Sequence, residues 1–153
     1  MLRTRIDDAL KTSMKARDEK SRVATLRLIN AAIKDRDISA RSSDRSEGVG
    51  DDEILAILTK MVKQREDSAA AYDKGCRPDL AEQERSEIEV IQEFMPKQLS
   101  EDEIADAVSG VIAEFEADGL KDMGKCMGAL KERHPGAMDF GKAGAKLKAA
   151  LSN

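Results

Sequence analysis

Tryptophan is absent from this 153-residue chain, and one Tyr and three Phe supply all of its aromatic area. Any core must therefore be built from Leu, Ile, Val, Met and Ala. Cysteine is nearly absent as well: Cys76 and Cys126 are far apart, with no CxxC spacing and no histidine partner. That reads as two free thiols in a reducing cytosol and excludes a structural zinc site, so no metal is expected. No stretch approaches the roughly 18 apolar residues that span a bilayer. The first twenty residues hold Arg3, Arg5, Asp7, Asp8, Lys11, Lys15, Arg17, Asp18, Glu19 and Lys20, which leaves no room for a signal peptide. The expectation is a cytoplasmic protein with no membrane role. With three Pro, ten Gly and few β-branched runs, propensity favours helix over strand.

What the chain has in abundance is charge: Asp, Glu, Lys and Arg make up 37% of it, against about 25% in an average domain. The net value of −4 hides an uneven distribution. Residues 1 to 45 hold 12 basic and 7 acidic groups, and residues 121 to 153 hold 7 and 3. The middle is acidic, with 6 against 13 over residues 46 to 95 and 1 against 7 over residues 96 to 120. Basic ends permit an anionic partner, and a solvated helix surface explains them equally well. The length allows one medium domain or two small ones and excludes a large multidomain enzyme.

Apolar positions recur at helical spacing along most of the chain. Leu2, Ile6, Leu10 and Met14 predict a first helix ending near Arg17, and a charged turn, Asp18 to Ser21, leads into a second helix reaching about Ile38. Residues 39 to 50 lose all periodicity and read as an exposed, mobile loop. Asp51 is expected to cap a third helix that Gly75 stops, and Asp79 with Glu82 predicts a capping box on a fourth. Pro96 cannot continue that helix, so Phe94 to Leu99 reads as a hinge. Ser100 as N-cap, Glu103 reaching back and Leu99 against Ile104 form a complete start signal for a fifth helix, with Gly119 expected as its left-handed C-cap. A sixth helix carries Met123, Cys126, Met127 and Leu130 and stops at His134-Pro135; Asp139 opens a seventh. The expected fold is all-α: a four-helix N-terminal domain over 1–95 and a small three-helix domain over 96–153, near the lower size limit for independent folding.

Several motifs of known chemistry are excluded by their context. Gly119 to Cys126 approaches the phosphate-cradling GxxxxGK[ST] loop, but the hydroxyl position is Cys126, and a polar helix end precedes it where a buried strand is required. Gly119 as a cap and Gly124 as a close-packing point explain the same glycines. Asp139-Phe140-Gly141 spells the kinase metal triplet without its companion loops. His134 has no orienting partner or nucleophile and reads as a surface or capping residue. Glu82, Glu84, Glu87, Glu89 and Glu93 alternate with Arg85 and apolar residues as a solvated helix face does. No catalytic site and no cofactor are expected.

The remaining feature is the basic C-terminal segment. Lys121, Lys125, Lys131, Arg133, Lys142, Lys146 and Lys148 fall on two consecutive helices, and Gly124, Gly128, Gly141 and Gly144 leave the backbone approachable. These are the candidate RNA-binding residues, since phosphates are what such cations contact. Without exposed aromatics to stack on bases, an RNA partner is read by shape and phosphate position, as a folded tRNA is. A lysine-rich helical exterior explains the same residues as well.

Four strings point further. Residues 26–34 (LRLINAAIK), 64–68 (QREDS), 94–99 (FMPKQL) and 122–127 (DMGKCM) together resemble the GatB/YqeY family in its stand-alone YqeY form, over essentially the whole chain. The resemblance implies an all-α protein with a larger N-terminal and a small C-terminal domain, bacterial and cytoplasmic. The C-terminal part is similar to the tail of the GatB subunit of tRNA-dependent amidotransferase, which helps hold tRNA. It implies tRNA, or the amidotransferase and aminoacyl-tRNA machinery, as partner and points to Lys125 within the 122–127 match; the last helix's lysines extend this on charge alone. The amidotransferase's kinase-like cradle, metal and ATP sites have no counterpart here. The expected function is therefore a non-catalytic, tRNA-interacting accessory protein. The alternatives are a protein-interaction adaptor without RNA binding, using the acidic fourth helix and the Ser39 to Gly50 loop, and a component of a glutamine-dependent carbon–nitrogen ligase complex.

Overall fold

The computed structural model describes residues 1–17, 20–42 and 47–152, and every regular element among them is helical. Seven α-helices run in order: α1 (Leu2–Ala16), α2 (Lys20–Arg41), α3 (Asp51–Lys74), α4 (Pro78–Gln92), α5 (Glu101–Glu114), α6 (Met123–Arg133) and α7 (Phe140–Leu151). A 3-10 turn at Leu120–Asp122 precedes α6. The chain divides into two compact units, Met1–Met95 and Pro96–Asn153.

In the first unit Ile6, Leu26, Ile29, Ile33, Ile54, Leu58 and Ile91 are buried to within 2% of complete exclusion. The stripe of α1 departs from its expected register at the end. Met14 is half exposed, whereas Ser13 is buried and accepts a hydrogen bond from Arg22 Nε at 3.1 Å. A serine is admitted there because its hydroxyl is satisfied. α2 runs three residues beyond Ile38 with Ala40 buried in it, and Val49, just before α3, is buried as well. The charged turn's Asp18 and Glu19 and the loop's residues 43–46 lie outside the described residues.

A polar clasp ties this region together. Asp37 of α2 takes a two-pronged hydrogen bond from Arg3 (2.8 and 2.9 Å) and accepts the Val49 N–H at 3.0 Å. Arg3 also donates to the Val49 carbonyl at 3.1 Å. Gly48 lies at φ 81°, and a Cβ there would sit 2.6 Å from Asp37 Oδ1, so both the backbone and the space require glycine. Asp51 is not the cap of α3. Gly50 is the N-cap, Glu53 accepts its N–H at 3.3 Å, and Asp51 accepts the Leu2 N–H at 3.2 Å, joining α1 to α3.

α3 and α4 form a hairpin crossed by Arg65, whose Nε donates to Glu87 at 2.9 Å. Between them Gly75 has an ordinary φ of −83° and Cys76 takes the left-handed conformation, at φ 58°. The expected box on α4 is absent, because the helix starts at Pro78 with Arg77 as its N-cap and Asp79 falls inside the first turn, where its carboxylate accepts from Arg77 at 3.2 Å.

The second unit buries Val111, Cys126, Leu130, Met138, Ala143 and Leu147, contributed by α5, α6, α7 and the α6–α7 connection. Ser100 caps α5 as expected: its Oγ accepts the Glu103 N–H and Glu103 accepts the Ser100 N–H, both at 3.2 Å. Asp139 caps α7 by accepting the Gly141 N–H at 2.8 Å. Gly119 does not end α5; the helix stops at Glu114, Glu116 takes the positive φ of 48°, and Gly119 is extended. The near-match to a phosphate loop therefore spans a 3-10 turn and the first turn of α6, with Cys126 buried. Gly124 is not a packing point either, since a Cβ there meets nothing within 4 Å.

Candidate functional site

All seven candidate cations are exposed, but they are not equivalent. Arg133, at the end of α6, makes a two-pronged ion pair with Glu114 of α5 at 2.6 and 2.7 Å. That pairing lowers the Glu114 carboxyl pKa and raises that of the guanidinium. Lys121 lies 3.5 Å from Asp118, and Lys125 holds its ammonium 5.3 Å from the centre of the Phe115 ring, a cation–π contact. Lys131, Lys142, Lys146 and Lys148 have no carboxylate within 4 Å among the described residues.

Helical phase sorts the four further. On α7 the buried stripe is Ala143, Leu147 and Leu151. At about 100° per residue, Lys142 and Lys146 share one flank of that stripe and Lys148 takes the other. Gly144 lies on the Lys148 flank and faces α6: a Cβ there would meet Met127 Sδ at 3.8 Å. On α6, Lys125 and Lys131 fall on opposite sides of the stripe of Cys126 and Leu130. The fold thus pairs Lys142 with Lys146 and does not gather the seven into one row. Gly124 and Gly128 stand open, with nothing within 4 Å of where a Cβ would be, so the α6 backbone is approachable there.

Composition and spacing located the basic segment but missed Glu114 and Phe115, the groups that engage two of its members. Only Lys121 and Asp118, three positions apart next to a helix start, carried a local signal. Elsewhere, a shallow groove of about 520 Å³ runs between α2 and α3, bordered by Asp35, Arg36, Glu53 and Lys60 over a floor of Ile57 and Met61. It contains neither cysteine nor histidine. Among the described residues no group of three or more His, Cys, Asp or Glu side chains is close enough to hold a metal ion, and no helix is long and apolar enough to cross a membrane. Burial pushes the Cys126 thiol pKa up, which disfavours the thiolate nucleophile.

The sequence pattern of the family described as "Yqey-like protein" matches residues 3–151, nearly the whole chain and both units. The chain belongs to the YqeY-like family. Among curated proteins it is similar to altered inheritance of mitochondria protein 41, mitochondrial, of Lachancea thermotolerans, with 35% identity over 69% of this chain and 55% of the relative. The protein of the same name from Clavispora lusitaniae is 32% identical over 71% of this chain and 61% of the relative. That of Kluyveromyces lactis is 34% identical over 56% and 43%. The chain spans about half the length of the curated relatives it matches. These YqeY-like relatives are fungal and named as mitochondrial, which overturns the expectation of a bacterial, cytoplasmic protein. Charge patterning near the start of a chain tests for a secretory leader and carries no information on this point.

Proposed function

We propose that this YqeY-like protein is a non-catalytic accessory that contacts the phosphate backbone of folded RNA through α6 and α7, with tRNA as the ligand. The observation that carries this reading is the sorting of the basic segment. Arg133 is committed to Glu114, whereas Lys131, Lys142, Lys146 and Lys148 are exposed and free of carboxylate partners. Unpaired lysines on rigid helices, beside open glycine backbone and with no exposed aromatic ring, suit phosphates and not bases. The resemblance of this segment to the tail of an amidotransferase subunit that holds tRNA supports tRNA in particular. The names of the fungal relatives favour a mitochondrial setting for the same role.

The test is tRNA binding by the full chain over a salt titration, with Lys142→Glu/Lys146→Glu and Arg133→Gln variants. Lysines that contact phosphate give a steep salt dependence, and the double reversal flattens it by about 2 in log–log slope. Arg133→Gln changes it little. Equal effects from both variants, or none from the double variant, refute the assignment. A protein-adaptor reading rests on α4, where Glu82 and Glu89 are exposed one heptad apart, and it predicts partner capture that survives nuclease treatment.

A further inference from the structure

α2 is the 22-residue helix of the first unit, and its core side is formed by Leu26, Ile29, Ile33 and Ala40. Off that side Lys20, Arg27, Lys34 and Arg41 recur every seventh residue from the first position of the helix to the last, and all four are exposed. Seven residues are nearly two turns, so the four cations lie along one line roughly 10 Å apart, over a length of about 30 Å. Between them stand Ala24, Ala31 and Ile38, also exposed. Asp35 borders the line on one flank and Asp37 on the other, where the Arg3 hydrogen bond and, to a lesser extent, the Arg41 charge lower the Asp37 carboxyl pKa.

Ion pairing divides the cations of this unit, and these four fall among those not held by a carboxylate. Arg3, Arg22, Arg65, Arg77 and Arg85 of the same unit are each held by a carboxylate: Asp37, Glu93, Glu87, Asp79 and Asp73. None of the four ridge cations is within 4 Å of a carboxylate among the described residues. The clasp of Arg3, Asp37 and Val49 holds α2 between Lys34 and Arg41.

We infer that the outer face of α2 is a phosphate-binding ridge that takes the backbone of a double-helical RNA segment. This rests on the reading of the chain as RNA-interacting and adds a second contact surface, in the other unit. The ridge is nearly as long as a full turn of a nucleic-acid duplex. The alanines between its cations let a rod-shaped polyanion approach closely. It carries no aromatic residue, which disfavours single strands, whose binding depends on stacking. A membrane-surface helix needs a broad face of bulky apolar residues, and on the exposed side of α2 only Leu28 and Ile38 are such residues.

The experiment uses the full chain and a blunt 20-base-pair RNA duplex over a salt titration. The ridge variant is Lys20→Gln, Arg27→Gln, Lys34→Gln and Arg41→Gln together. Gln is a good helix former, and far-UV circular dichroism confirms that α2 persists. The log–log salt slope falls by about 3, and affinity at 0.1 M salt drops by at least about tenfold. The swap Lys20→Arg, Arg27→Lys, Lys34→Arg and Arg41→Lys keeps the wild-type slope. A parallel variant, with Lys131, Lys142, Lys146 and Lys148 changed to Gln, separates this inference from the function proposed above. Loss of slope in the ridge variant alone upholds the ridge and removes the α6–α7 assignment. Loss in the parallel variant alone overturns the ridge and leaves that assignment standing. No duplex or tRNA binding by wild type overturns both. Ridge-dependent binding to phosphatidylglycerol vesicles, with RNA binding unchanged in the ridge variant, overturns the inference in favour of a membrane contact.

Discussion

Breaking the Arg3–Asp37 clasp tests how the first unit is held together. Asp37 accepts two charge-assisted bonds from Arg3 and one from the Val49 N–H, and the Arg3 interaction is the larger cause of its carboxyl standing at about 2 instead of 3.8. A carboxyl lowered that far contributes about 2 kcal/mol at neutral pH. The Asp37 side chain is 15% exposed but that of Arg3 is 35% exposed, so solvent screening reduces the figure to about 1–2 kcal/mol. Asp37→Asn keeps an oxygen for the Val49 N–H and removes the charge, which isolates the ion pair. In a unit of this size the loss corresponds to a fall in Tm of about 5–15 °C.

Tyr72, the single tyrosine in a chain without tryptophan, lies in α3 and reports this unit by fluorescence during urea unfolding. A double-mutant cycle with Arg3→Gln is expected to give a coupling of about 1–2 kcal/mol. Because the folded pKa is depressed, the stabilisation is fully present above about pH 4 and is lost as pH falls from 4 towards 2. The gap between wild type and Asp37→Asn therefore closes over that interval. A coupling indistinguishable from zero, or a gap at pH 2.5 as large as at pH 7, refutes the account.

Two predictions concern the second unit, where buried Cys126 is a built-in reporter and exposed Cys76 an internal control. Ser100→Ala removes the α5 cap and destabilises the unit by about 1 kcal/mol, seen as faster labelling of Cys126 by a thiol reagent while Cys76 still reacts at once. Leu130→Ala, at a fully buried position, costs about 2–5 kcal/mol. In so small a unit this exposes Cys126 at room temperature without changing the Tyr72 signal, and protection equal to wild type refutes the core assignment.

Features encoded within three or four residues were legible from the sequence. The Ser100–Glu103 box and the Asp139 cap are local hydrogen-bond patterns, and both are present, the box with its expected partners. Helix ends were harder wherever a glycine drew attention away from its neighbour. Cys76 and Glu116, not Gly75 and Gly119, take the left-handed conformation, because the last turn's position is set by packing and not by the most permissive residue. The clasp was invisible for a different reason: Arg3 and Asp37 are 34 positions apart, and only the fold brings them together. The same holds at the candidate site. The cations and their exposure could be read along the chain, but the Arg133–Glu114 pair spans 19 positions, and it removes one cation from the set.

That pairing matters because net charge gives the protein no attraction for a polyanion. The first unit holds 18 basic and 20 acidic residues and the second 8 and 10, so each carries −2. Long-range steering is therefore absent, and at physiological salt charges more than about 8 Å apart are largely screened. Any phosphate contact must come from cations that stand clear of carboxylates at close range. Lys142 with Lys146 on α7 and Lys20, Arg27 and Lys34 of the heptad line of α2 meet that condition, whereas Arg3, Arg22, Arg65, Arg85 and Arg133 are spent on the fold. It follows that RNA association should be slow for a basic-patch protein, at an on-rate near the unsteered 10⁵–10⁶ M⁻¹s⁻¹, with salt acting mainly on dissociation. Stopped-flow mixing with labelled tRNA decides this, and an on-rate near 10⁸ M⁻¹s⁻¹ that collapses with salt would show that the acidic helices do not offset the basic faces.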